Sequence, residues 1–175
     1  MSNEMFALNI CDDINGVVDF LKKETFENIF SDYETRRANS TKQPFTLTNG
    51  VKEYVRVFLT DDSFKKSNFF ITGKRQSGVT TILEVLALYY ASREKKKVLF
   101  LTKNSCLTKE TNFHLNNVTN LYVDSHIGLN RLHGFEFDVV IVDDYKFASD
   151  ILKIVDDCVY LHRAKKFIFG SNKDM

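Results

Sequence analysis

Residues Ser67–Thr81 read SNFFITGKRQSGVTT, and this stretch decides the fold. Phe69, Phe70 and Ile71 make a short apolar run suited to a buried strand. Gly73 and Gly78 punctuate a polar turn, and Ile82, Leu83, Val85, Leu86, Tyr89 and Tyr90 then recur at helical spacing. Strand, turn and helix in that order form a device that grips phosphates. The glycines let the backbone curl until successive N–H groups face one concavity, and the positive end of the helix dipole completes an anion site. The spacing G-x-x-x-x-G-x-T is that of a P-loop. It makes Gly73, Lys74, Arg75, Gln76, Ser77, Gly78, Val79, Thr80 and Thr81 candidate phosphate contacts, with the Thr80 hydroxyl where a Mg²⁺ ligand belongs. One residue departs from the pattern: Val79 stands where a phosphate-contacting lysine is expected.

Working outward, further apolar runs suited to strands occur at Val98–Leu101, Asn120–Val123, Val139–Val142 and Lys166–Phe169, and Phe147–Val155 reads as helix between the last two. Upstream, apolar residues from Asp13 to about Arg37 recur every three or four positions, predicting one or two amphipathic helices. The polar segment Arg36–Pro44 reads as a linker, and Asn49 as the cap of a helix carrying Val51, Tyr54, Val55, Phe58 and Leu59. Strands alternating with helices predict an α/β fold, a parallel sheet covered by helices on both faces. The expected organisation is an N-terminal helical extension and linker over residues 1–44 and a P-loop core over 45–175.

The second informative stretch is FDVVIVDDY, Phe137–Tyr145. A hydrophobic strand ending in two acids delivers carboxylates to the carboxyl edge of a parallel sheet, where open α/β sheets bind ligands. Behind a P-loop this is a Walker B arrangement. Asp143 is then the Mg²⁺ carboxylate and Asp144 the group that orients attacking water, giving ATP and Mg²⁺ as the expected cofactors and Asp143, Asp144 and Lys74 as candidate catalytic residues. The last strand leads into Gly170-Ser171-Asn172, which either places small polar groups at the same edge, with Ser171 and Asn172 as candidate γ-phosphate sensors, or is simply a Gly-Ser-Asn turn.

Lys74 to Thr81, with the apolar helix behind it, resembles the ATPase motif of the large terminase subunits of tailed phages and related viruses, whose P-loops commonly read R-Q-x-G-K-[ST]-[ST]. Arg131-Leu132-His133-Gly134 is similar to the Arg-Gly turn that often precedes the acidic strand in that family. The resemblance covers roughly Phe45 to Asn172. It implies a RecA-like P-loop NTPase core sheet and an ATPase motor that packages double-stranded DNA, working in a homo-oligomeric ring or with other packaging subunits, with Ser171 and Asn172 coupling hydrolysis to movement. Four departures bear on catalysis. Val79 replaces the lysine, although some terminases carry it early in the loop, where Lys74 stands. Asp144 replaces the usual glutamate and withdraws the carboxylate by about one methylene, a displacement of ~1 Å that can cost about 10²-fold in rate. Val51 stands near the place of the glutamine that reads adenine, and His133 stands where arginine is common. Two rivals follow: a degenerate P-loop protein that binds or regulates without turnover, and a helicase-like translocase needing a second motor domain.

Composition narrows the rest. The 24 basic and 23 acidic side chains nearly cancel, so no global field draws the chain to nucleic acid or anionic lipid. The cluster Arg93, Lys95, Lys96 and Lys97 reads first as a solvated helix terminus. Three scattered cysteines, Cys11, Cys106 and Cys158, and four histidines without metal-ligand spacing predict a reduced compartment and no structural metal. No apolar run approaches the ~20 residues of a membrane span, so a cytoplasmic protein without membrane partners is expected, in the host cytoplasm if viral.

Overall fold

The computed structural model describes residues 5–9, 26–125, 132, 134–144 and 151–173. Six strands make one sheet: β1 (Met5–Asn9), β2 (Asn68–Lys74), β3 (Val98–Thr102), β4 (Leu121–Ser125), β5 (Val139–Asp143) and β6 (Lys166–Lys173). Their order across the sheet is β1-β2-β6-β5-β3-β4, and every neighbouring pair is parallel. The helices are α1 (Glu27–Thr41), α2 (Asn49–Thr60), the single turn α3 (Asp62–Lys65), α4 (Val79–Ser92), α5 (Ser105–His114) and α6 (Ile151–His162).

The strands read as continuous apolar runs because helices cover both faces. Alternate side chains go to opposite sides, as the two-residue repeat of a strand requires. Val98 and Phe100 of β3 and Val139 and Ile141 of β5 join the large cluster with α1, α2 and α4. Leu99, Leu101, Val140 and Val142 join Phe167, Phe169, Ile154 and Cys158 on the other side, under α6. Helix α4 is apolar nearly all round, the mark of a helix buried on every side. One side lies on the sheet, and α1 and α2 pack against it as well.

Two glycines make this packing possible. A side-chain carbon at Gly170 of β6 would stand 2.4 Å from Leu83 Cδ1 and 2.9 Å from Val79 Cγ1, so α4 lies directly on the bare backbone there. Gly78, the N-cap of α4, has φ of 94°, and a side chain on it would meet Val51 Cγ2 at 2.8 Å.

Several expectations shift. Met5–Asn9, in a segment read as helical, pairs with β2 as an edge strand. The polar segment read as a linker is helical as far as Thr41, and Ile29, Phe30 and Tyr33 of α1 belong to the main core. Helix α2 is capped by Thr48, whose hydroxyl accepts from the Val51 N–H at 3.2 Å, one residue before the predicted Asn49. Gly170, Ser171 and Asn172 extend β6 rather than forming a turn, because each pairs with β2 through to Lys173. Helix α5, absent from the sequence reading, is capped by the Asn104 side chain, which accepts from the Leu107 N–H at 3.0 Å. The helix read over Phe147–Val155 has its first residues outside the described ones; α6 runs on to His162. No described helix is long and apolar enough to cross a membrane.

Candidate functional site

Strand β2 delivers the glycine-punctuated turn to the carboxyl edge of the sheet. The Ser77 N–H donates to the Lys74 carbonyl at 3.0 Å, closing a tight turn, and Gln76 and Gly78 both take positive φ, 65° and 94°. Gly78 offers α4 no side-chain cap. The N–H groups of a helix's first turn have no intrahelical acceptor, so those of α4 open toward the turn. The Ser77 hydroxyl is buried and makes no hydrogen bond among the described residues. These features suit an anion.

Strand β5 brings Asp143 to the same edge, with β6 interposed between it and β2. The Thr80 hydroxyl donates to Asp143 Oδ2 at 3.0 Å and lies 3.3 Å from Oδ1, joining positions 63 residues apart. Asp143 is 9% exposed, and burial pushes its carboxyl up to about 7; the Thr80 hydroxyl opposes the rise, and the nearby carboxylates Glu84 and Asp144 add to it. Asp144 follows in the left-handed region, φ 58°, a conformation that Asp tolerates better than most residues and that turns the chain away from the strand.

A cavity of about 870 Å³ opens over this edge. Thr80, Thr81, Asp143, Asp144 and Asn172 line one part, together with Arg75. Ser171 is buried and its side chain turns back to the Asn172 carbonyl at 3.3 Å. Val79 is 1% exposed and its side chain packs into the core rather than facing the cavity. Lys74 is exposed at the end of β2, paired in register with Lys173, and is not among the cavity-lining residues; the turn's cation there is Arg75.

Sequence reasoning missed the other wall. Glu84 lies one helical turn beyond Thr80 on α4 and is 2% exposed. It accepts from the Tyr33 hydroxyl at 2.9 Å and sits 2.9 Å from His114 Nδ1, so α1 and α5 meet on one carboxylate. The tyrosine in turn accepts from Arg37 Nη1 at 2.9 Å. Burial and the Glu84 charge hold the Tyr33 phenol well above its usual range, which keeps it a donor. Arg37, Glu84 and His114 all line the cavity. The signal available in sequence was a lone acid inside an otherwise apolar helix, ILEVLALYY.

No protein-family model and no curated protein matches the chain. The arrangement itself therefore carries the chemistry: an anion-suited turn, a hydroxyl and carboxylate in contact beside it, and a cavity large enough for a nucleotide.

Proposed function

We propose that this protein is a P-loop domain that binds ATP with Mg²⁺, an ATPase of the DNA-packaging type that its motifs resemble. The observation that carries this reading is the Thr80–Asp143 hydrogen bond. Two motifs recognised separately in sequence, each weak alone, meet at the distance that a shared Mg²⁺ requires of its hydroxyl and its carboxylate. Mg²⁺ takes few protein ligands and completes its shell with phosphate oxygens and water, which one hydroxyl and one acid leave room for. The strand order, with β6 between the strands bearing the two motifs, is compatible with a RecA-like sheet.

In this reading the N–H groups of the turn and of α4's first turn hold the phosphates, Thr80 and Asp143 hold the metal, and Asp144 orients water. Bound Mg²⁺ would supply charge neutralisation between the phosphates. Double-stranded DNA and a homo-oligomeric ring would be the partners of a motor.

A second reading, binding without turnover, is favoured by Val79, whose burial removes the lysine position from the cavity altogether. Titration calorimetry with a non-hydrolysable ATP analogue and Mg²⁺ tests both. Absence of binding at millimolar ligand overturns the two together. Binding accompanied by steady-state phosphate release supports the ATPase, and binding without release selects the second reading. In an active protein, comparing Lys74→Ala with Arg75→Ala identifies which cation serves the phosphates; the cavity lining favours Arg75.

A further inference from the structure

We propose that Arg37, on α1 of the same chain, faces the terminal phosphate of the bound nucleoside triphosphate and supplies the positive charge that position 79 cannot; this rests on the nucleotide reading above. A triphosphate keeps net negative charge even with Mg²⁺, and transfer of its terminal group needs cations placed before the reaction begins. Val79 is sealed against Gly170, so the helix start offers none.

Three side chains that bear a fixed positive charge line the cavity: Arg37, Arg75 and Lys103. Arg75 is exposed in the turn, and Lys103 follows β3. Arg37 is anchored to the buried Tyr33 and the half-buried Phe45. Its guanidinium lies 4.4 Å from the Phe45 ring centroid and 5.9 Å from that of Tyr33. Nη1 donates to the Tyr33 hydroxyl, that hydroxyl donates to Glu84 Oε2, and His114 Nδ1 lies 2.9 Å from the same oxygen. A planar fork stacked on a ring and tied by one hydrogen bond is preorganised, and it matches phosphate oxygens in a way an ammonium does not. Its Nε is shut from solvent and makes no hydrogen bond among the described residues. The acids on the same cavity are Glu84, Glu110, Asp143 and Asp144. Glu84 is engaged by Tyr33 and His114 and Asp143 by Thr80, and among the described residues Arg37 forms an ion pair with none of the four acids, which leaves its charge for an anion in the cavity.

The test is calorimetry in Mg²⁺ with a non-hydrolysable ATP analogue and with ADP, on wild type, Arg37→Ala, Arg37→Lys and Tyr33→Phe. Arg37→Ala should weaken the analogue about 10- to 100-fold, the scale of a hydrogen bond to a charged group, while changing ADP by less than about threefold. Arg37→Lys and Tyr33→Phe should lower the analogue-to-ADP ratio by smaller factors. An unchanged ratio in Arg37→Ala, or equal weakening of both ligands, overturns the proposal and leaves Arg37 a structural tie between helices. Should Arg37→Ala fail to fold, the other two variants decide, and a wild-type ratio in both overturns it. Wild type that binds neither ligand brings down the nucleotide reading and this proposal with it.

Discussion

Two buried carboxylates line the cavity, one on helix α4 and one at the end of β5, and they are provided for in opposite ways. Glu84, 2% exposed, has a tyrosine hydroxyl and a histidine nitrogen within 2.9 Å, with an arginine behind the tyrosine. Asp143, 9% exposed, has the Thr80 hydroxyl and the backbone of its neighbour, with two other acids raising its pKa. Burying a charge is costly unless it is paired and hydrogen-bonded. Glu84 meets that condition from within the chain, and Asp143 does not. The first is held as scaffold; the second, in the proposed reading, would be completed by a cation.

The largest expected effect lies on the scaffold side. Glu84→Ala leaves the Tyr33 hydroxyl and His114 without their common acceptor and opens a void where three helices meet. Breaking a buried pair by removing one partner costs on the order of 3–5 kcal/mol. Urea unfolding measures this directly, and a wild-type midpoint would erase the distinction between the two carboxylates.

Asp143→Asn should act with the opposite sign. The folded-state pKa of Asp143, about 7, lies above the 3.8 of an unperturbed side chain. The native state therefore retains a proton that the unfolded chain gives up, so this group lowers stability as pH rises from about 4 to about 7, and the loss is complete above that. Asparagine keeps an acceptor for Thr80 without the charge. In the absence of Mg²⁺ the variant should gain on the order of 2–4 kcal/mol over wild type at pH 8, shrinking toward nothing near pH 4. Unfolding curves at several pH values check it, and a variant less stable than wild type at pH 8 would contradict the picture of an uncompensated charge. The same variant should lose Mg²⁺-dependent nucleotide binding.

The two carboxylates also differ in how far the sequence announces them. Asp143 is legible because β5 is a continuous apolar run ending in acids, and the glycine spacing announces the turn that meets it. Strands β2, β3 and β6 are legible for the same reason, since burial on both faces leaves no polar alternation to misread. Glu84 is not legible. A single acid in a helix is ordinarily solvent-facing, and only Tyr33 of α1 and His114 of α5, meeting on its Oε2, make it internal. Helix α5 is short and mostly polar and does not announce itself, whereas α1 is legible as far as about Arg37 and only its last turn, through Thr41, has the composition of a linker. At the end of β6, Gly170 reads as a turn signal, whereas its real cause is the close approach of α4. Val79 shows the limit from the other direction. Sequence identifies it as a missing lysine, and only its place against Gly170 shows that the position has been absorbed into the core.

The smallest expected effect is the most specific, because it isolates the contact on which the functional reading turns. Thr80→Val keeps the shape of the side chain and removes the donor to Asp143. Alone it should cost about 1 kcal/mol in the metal-free protein near pH 8, the typical net worth of one hydrogen bond. That number by itself proves little, since buried substitutions of this size are common. The coupling is what matters. In a double-mutant cycle with Asp143→Ala, the hydroxyl should lose its value once the carboxylate is gone, giving an interaction energy of about 0.5–1.5 kcal/mol. Full additivity would mean that the 3.0 Å approach carries no energy and that the two motifs merely lie side by side. Repeating the cycle with Mg²⁺ and the ATP analogue present should enlarge the coupling, because the two groups would then share a metal rather than a proton.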